Sequence, residues 1–207
     1  MKRSSSCGLD NIDSRVLKIA ILELTPAITH IINLSISTQC FPEIWKISKI
    51  IPLHKKDELV EPSNYRPVSL LSAVSKILER AIYMQLVHYF ETENLLNSSH
   101  HGFRQNHNTT TALIEMIDRW AEKFDKGEIS AVLMLNMSAA FDLVNHDLLC
   151  KKLEIYGANR GSVTWFESYL NNRGQQVYID GCYSEVLPVT TGVPQGSILG
   201  LILYIID

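Results

Sequence analysis

Residues 131–146 read AVLMLNMSAAFDLVNH. Ala131 to Leu135 is an unbroken apolar run, Asn136 stands where it stops, and Asp142 is the acidic side chain of the stretch. With Ile129 in front, the run is too short for a full helix and apolar on both faces. It therefore predicts a central strand, Ile129 to Leu135, covered on both sides. What that strand delivers to its C-terminal end decides both the fold and the place to look for chemistry.

Downstream, Asn145 to Tyr156 has helical spacing and closes at Gly157, and Ser162 caps a further helix with Val163, Phe166, Tyr169 and Leu170 inward. Gln175 to Asp180 and Tyr183 to Val189 alternate about Asp180-Gly181, the strongest hairpin signal in the chain. Thr190 to Gly200 is a glycine-rich loop leading into a final apolar segment.

Upstream, Gly127 stops a helix that Thr109 or Thr110 can cap, with Leu113, Ile117, Trp120, Ala121 and Phe124 on one face. A loop from Asn97 to Asn108 precedes it. Before that, Ser72 to Glu91 is a long helix with a wide apolar face, a core element by default. Ser48 to Leu53 is a short strand that Pro52 confines to a sheet edge or a strand end. Near the start, Asp10 or Asp13 caps a first helix, and Thr25-Pro26 reads as N-cap and first residue of a second. Helices, an edge strand, helices, a buried strand, helices and a hairpin add up to an α+β fold, with helices packed on a small, mostly antiparallel sheet.

The chain has 207 residues, 46% hydrophobic and 20% charged, which is globular composition rather than disordered. A net charge of −3 means that any nucleic-acid binding needs a local basic patch. Cys7, Cys40, Cys150 and Cys182 form no CxxC pair, so they read as reduced thiols of an intracellular protein rather than zinc ligands or a disulfide framework. No run is long and apolar enough for a signal peptide or a membrane span, so no membrane partner is expected. The chain stops at LILYIID inside an apolar run, which reads as a shortened piece of a larger domain.

Several segments suit ligand chemistry. In Gly192-Val193-Pro194-Gln195-Gly196-Ser197, Gly196 admits close backbone approach and Gln195 offers both a donor and an acceptor. Alone, the segment reads more readily as a surface turn after the hairpin. Arg104, after His101-Gly102-Phe103, can hold a phosphate by a forked hydrogen bond, or can be a solvated loop arginine. Lys55, Lys56 and Arg66 carry the same two readings, and Asp57, Glu58 and Glu61 dilute their charge.

Taken in order, PLHKK, NYRPVSLLSAVSKILERAI, HGFRQNHNTTTAL, AAFDLVNHDLLCKKLEIYG, the hairpin and GVPQGSILG are far more specific than any one of them. Together they resemble the reverse transcriptase domain of non-LTR retrotransposons, the jockey and LINE-like elements, over nearly the whole chain. The resemblance implies a right-hand polymerase that works on an RNA template, a DNA primer and incoming dNTPs with Mg²⁺, within a longer retrotransposon polyprotein. It implies an N-terminal helical extension over 1–47, a fingers-like part over 48–128 and a partial palm over 129–207. Lys55 or Lys56, Arg66 and Arg104 look like fingers contacts to phosphates. Phe141 looks like the bulky residue under the sugar, and Gln195 and Gly196 look like the loop lining the nucleotide pocket.

The resemblance also exposes what is missing. The family places a metal-binding aspartate five residues before the sugar-gate aromatic, and here that position is Asn136. An amide oxygen carries no net charge to offer two hard cations. The family's later Asp-Asp pair has no counterpart in this chain, so no metal set is intact. Asp142 follows the family's own AFD pattern and reads as a brace of its turn. Smaller departures are Asn11 for a usual glycine, His100-His101 for a Gln-Phe-like pair, and Leu201 for a proline. The expectation is the fold and ancestry of a polymerase with absent or crippled chemistry, a well-ordered helical half, and a loosely packed palm half.

Overall fold

The computed structural model describes residues 7–137 and 139–207. They form two compact units: one runs to Gln85 and resumes at Ala139, the other begins at Leu86 and fills the interval.

In the first unit, α1 (Ser14–Ile19) starts at Asp13, whose carboxylate accepts from Arg15 N at 2.7 Å. Asp10 has a different task and accepts from Ser72 Oγ at 2.5 Å. α2 (Ile21–Thr38) begins earlier than Thr25-Pro26 suggests, so Pro26 lies inside the helix. As the sixth residue it leaves Leu22 O without its i→i−4 donor, and beside it Thr25 Oγ1 donates back to Ile21 O at 2.5 Å. Gln39 in the left-handed conformation closes the helix.

The sheet is built from β1 (Ile47–His54), β2 (Tyr65–Leu70), β3 (Arg173–Ile179), β4 (Cys182–Tyr183) and β5 (Leu187–Val189), in the order β2-β1-β3-β4 with β5 also on β3. Most of its pairings are antiparallel, as expected, but β1 and β3 run parallel, with Ile47 opposite Gly174 and Ile50 opposite Val177. β1 is thus an interior strand. Pro52 is tolerated because the β3 pairing ends at Ile50, so its missing N–H falls at the strand end. The hairpin turn is the expected Asp180-Gly181, both at positive φ (47° and 89°), the type I′ geometry that matches strand twist.

Helices α3 (Ala73–Thr92), α5 (His146–Ile155), α6 (Arg160–Leu170) and α7 (Leu199–Ile206) supply the apolar faces. Asn145 and Asn159 cap α5 and α6; Ser162 is the donor to Asn159, not the cap itself. The core centres on an aromatic cluster. Phe41 meets Tyr169 edge-on with centroids 5.0 Å apart, and Trp165 stacks on Tyr169 at 5.7 Å. Leu149, Leu153, Leu199 and Leu203 are buried nearby in sequence-adjacent turns of α5 and α7. No disulfide joins the cysteines among the described residues, and burial, with Glu167 and other acidic neighbours, pushes the Cys150 thiol up to about 11.

In the second unit, α4 (Thr109–Asp125) is capped by Asn108 rather than by a threonine. Asn108 Oδ1 accepts from Thr111 N at 3.0 Å, and Thr111 Oγ1 accepts from Asn108 N at 2.9 Å. Gly127, at φ 71°, ends the helix region as expected. The expected strand at Ile129 to Leu135 does not form: these residues have no regular structure, and Ile129 is 99% and Leu133 82% exposed. A strand apolar on both faces is stable only with a neighbour on each edge, and no strand pairs with this stretch among the described residues. No helix among the described residues is long and apolar enough to cross a membrane.

Candidate functional site

The first unit brings two distant segments together edge to edge. One is the single 3₁₀ turn Ala140–Asp142 and the residues that lead into α5; the other is the loop between β5 and α7. Val193 N donates to Phe141 O at 2.8 Å and Gly192 N to Val144 O at 2.8 Å. Thr191 Oγ1 donates to Asp142 O at 3.2 Å, and His146 Nε2 donates to Gly192 O at 2.7 Å, which fixes the tautomer of that buried ring. Glycine is required at this seam. Gly192 has φ 82°, and a Cβ there would lie 2.7 Å from Asp142 Cα.

On the other side the loop is tied to β2. Ser69 N donates to Gln195 O at 2.9 Å, and Gly196 (φ 129°) lies so near that an added Cβ would sit 2.6 Å from Ser69 O. Close backbone approach at Gly196 is therefore real, with β2 as the neighbour. Gln195 turns its amide the other way, and Nε2 lies 3.2 Å from each carboxylate oxygen of Asp142. Asp142 is thus a brace between the two segments. Phe141 packs on Tyr204 of α7 with ring centroids 4.8 Å apart.

A small cavity opens between these pieces, with Ser48, Ser69, Asp142, Arg173, Gln175 and Gln195 in its wall. Arg173 is only 3% exposed. Its Nη1 donates to Tyr169 O at 3.0 Å and its guanidinium lies 5.0 Å over the Tyr169 ring, while Nε and Nη2 have no partner among the described residues. The cavity wall therefore carries one charge of each sign. Sequence reading missed Arg173, because an arginine opening a strand looks like a surface residue until Tyr169 and Phe41 close over it.

The expected cations are spread over both units. Lys55, Lys56 and Arg66 are exposed at the connected end of the β1–β2 pair, where Arg66 faces Leu53 in register and Lys56 Nζ lies 3.5 Å from Asp57 Oδ2. Arg104 belongs to the second unit and spends Nη1 on its own loop, on Asn97 O at 3.0 Å and His100 O at 3.4 Å. Beside it, His101 bridges Thr111 Oγ1 at 3.0 Å and Glu115 Oε2 at 2.6 Å. Hydrogen bonding from His101 holds the Glu115 carboxyl below its ordinary range. Asn136 is exposed, in the second unit.

A two-Mg²⁺ centre needs several anionic oxygens at one place. Among the described residues no three His, Cys, Asp or Glu side chains gather to hold a metal ion. Asn136 offers a neutral amide, and the Asp142 carboxylate is engaged by Gln195. The residues present do not fit such a centre.

A family model described as "Reverse transcriptase (RNA-dependent DNA polymerase)" matches residues 53–206. Among curated proteins, the chain is 34% identical over 96% of its length to one named a probable RNA-directed DNA polymerase from transposon BS of Drosophila melanogaster. It is 34% identical over 95% of its length to the corresponding X-element protein of that fly. It is 31% identical, also over 95%, to the RNA-directed DNA polymerase from its mobile element jockey. The chain spans 22% of the length of each of these relatives.

Proposed function

The chain belongs to the reverse transcriptase (RNA-dependent DNA polymerase) family, and on that premise we propose that it is the fingers and part of the palm of a non-LTR retrotransposon polymerase, able to hold RNA template and nucleotide but not to add the nucleotide to a primer 3′-hydroxyl. Residues 48–128 act as fingers and 129–207 as a partial palm, with 1–47 a helical extension. Lys55, Lys56, Arg66 and Arg104 meet phosphates of template or nucleotide. Phe141 supports the sugar, and Gln195 with Gly196 lines the base and nucleotide pocket. RNA template, DNA primer, dNTP and the rest of a longer polyprotein are its partners.

The observation that carries this reading is the seam itself. Gln195 is 53 residues from Asp142, yet its Nε2 bonds the Asp142 carboxylate in the wall of one cavity, and Val193 N bonds the neighbouring Phe141 O. Chemistry fails at the metals, because Asn136 stands where a metal-binding aspartate is needed.

Binding of a labelled RNA at two salt concentrations tests the reading. Phosphate contacts make affinity fall steeply with salt. The double substitution Lys55→Ala, Arg104→Ala is expected to lower the salt slope by about 2, roughly 1 for each lost contact. Binding that ignores both salt and substitution would leave an inert remnant of the domain as the better description.

A further inference from the structure

Glu79 takes no part in the reading above, although it is fully buried in the middle of α3. Its Oε2 accepts from Ile198 N at 2.6 Å and from Leu199 N at 3.4 Å, and its Oε1 accepts from Ser75 Oγ at 3.3 Å. Ile198 is the N-cap residue of α7 and has no side-chain cap of its own. A carboxylate from another helix does that work, 119 residues away in sequence. Ser197, also buried, completes the arrangement: its Oγ donates to Pro194 O at 2.9 Å and accepts from Gly200 N at 2.9 Å.

The loop that carries Gln195 is held at several points, Gly192 on Val144 O and His146 Nε2 among them. Val193 N is fixed on Phe141 O, Gln195 O on Ser69 N, and Ile198 N on Glu79. The first two are backbone bonds, and Ser69 is itself buried. The third attaches the loop to the interior, through a group whose burial has a cost unless it is hydrogen-bonded. A buried carboxylate in contact with backbone N–H groups has few places to go, so its position is sharply defined.

We propose that Glu79 is a positioning residue for the nucleotide loop: by accepting the Ile198 N–H it sets where Gln195 stands and so whether its amide reaches Asp142. The functional half of that statement rests on the reading that this loop lines a nucleotide pocket. Burial pushes the Glu79 carboxyl above its ordinary range, against the Ile198 N–H and the charge of Arg173, which pull it down. Either protonation state leaves an oxygen to accept from Ile198.

The side-chain amide signals of Gln195, assigned in a ¹⁵N-labelled chain, read the pin directly. Asp142→Ala supplies the reference position for an unbonded Gln195. Glu79→Leu, with native far-UV circular dichroism and native tryptophan emission, is expected to move the Gln195 signals toward that reference. Glu79→Gln, which keeps an acceptor oxygen, is expected to leave them in place. If Glu79→Leu does not fold, Glu79→Asp carries the same test, since it keeps the carboxyl group but falls short of Ile198 N.

In the folded variants that lack the contact, affinity for dTTP is expected to weaken about tenfold, with Glu79→Gln unchanged. Gln195 signals that stay native in folded Glu79→Leu or Glu79→Asp, or that shift in Glu79→Gln, overturn the proposal. Absence of dTTP binding by the unmodified chain would instead remove the nucleotide reading, and the Gln195 signals would still decide the role of Glu79 as a pin.

Discussion

Gln195 Nε2 stands 3.2 Å from both carboxylate oxygens of Asp142, 53 residues away in sequence. The contact joins the β5–α7 loop to the Ala140–Asp142 turn on an exposed face, so its electrostatic part is screened. Asp142→Ala removes the shared acceptor while Gln195 can turn to water. The expected cost is about 0.5–1.5 kcal/mol, measured as a lower urea midpoint at unchanged m-value. A midpoint equal to that of the parent chain would show that the two segments are held by their backbone bonds alone.

Gly196 and Gly127 both have positive φ, yet only Gly196 is crowded, with Ser69 O 2.6 Å from the place a Cβ would take. Neither neighbour there is a flexible side chain, so the β2 strand or the loop must move. Gly196→Ala is expected to cost more than about 2 kcal/mol. Gly127→Ala meets nothing within 4 Å, so only the left-handed strain of about 1 kcal/mol applies. Thermal melts of the two variants compare them, and equal losses would mean that the approach of Gly196 to Ser69 is looser than described.

Stability should fall with rising pH through the titration of Glu79. Its carboxyl is raised above its ordinary 4.5, first by burial, with the Ile198 N–H, Arg173, the Leu199 N–H and Lys76 opposing. Tyr169 of α6 and Ser75 of α3 also face it. The folded chain thus keeps a proton that the unfolded chain has released. This contribution is fully present below the unfolded value and is lost as pH rises through the folded one. Glu115, whose carboxyl is lowered, acts in the opposite sense and at lower pH. Urea melts at pH 5 and pH 8 should show the unmodified chain losing more stability than Glu79→Gln; equal losses would place the folded Glu79 titration elsewhere.

Much of this fold can be read from local chemistry. Asp180-Gly181 announces its hairpin because both residues tolerate positive φ, and Asp13 and Gly127 mark helix limits for equally local reasons. The parallel pairing of β1 with β3 joins residues 47–50 to 174–177, and nothing in either segment encodes its partner. The stretch Ile129 to Leu135 shows the limit from the other side. Its apolar run is a statement about what the segment can be when neighbours flank it, and the described chain provides none.

The site divides in the same way. Residue type and motif single out Phe141, Gln195 and Gly196, and their meeting at one seam is a product of the tertiary fold. Glu79 and Arg173 were passed over, because a charged residue in an amphipathic pattern looks solvent-facing until the helices and aromatic rings around it are in place. The one signal for Glu79 was its position next to Leu78, itself fully buried, within the apolar face of α3.

On the function proposed above, this chain binds template and nucleotide through Lys55, Arg104 and Gln195 but does not catalyse nucleotidyl transfer. Extension of a labelled DNA primer on an RNA template, with all four dNTPs and Mg²⁺, tests it most directly. The account predicts no incorporation beyond that of the same mixture with EDTA. Template-dependent incorporation that EDTA abolishes would contradict it, and would mean that Asn136, Asp142 or another group holds the metals after all.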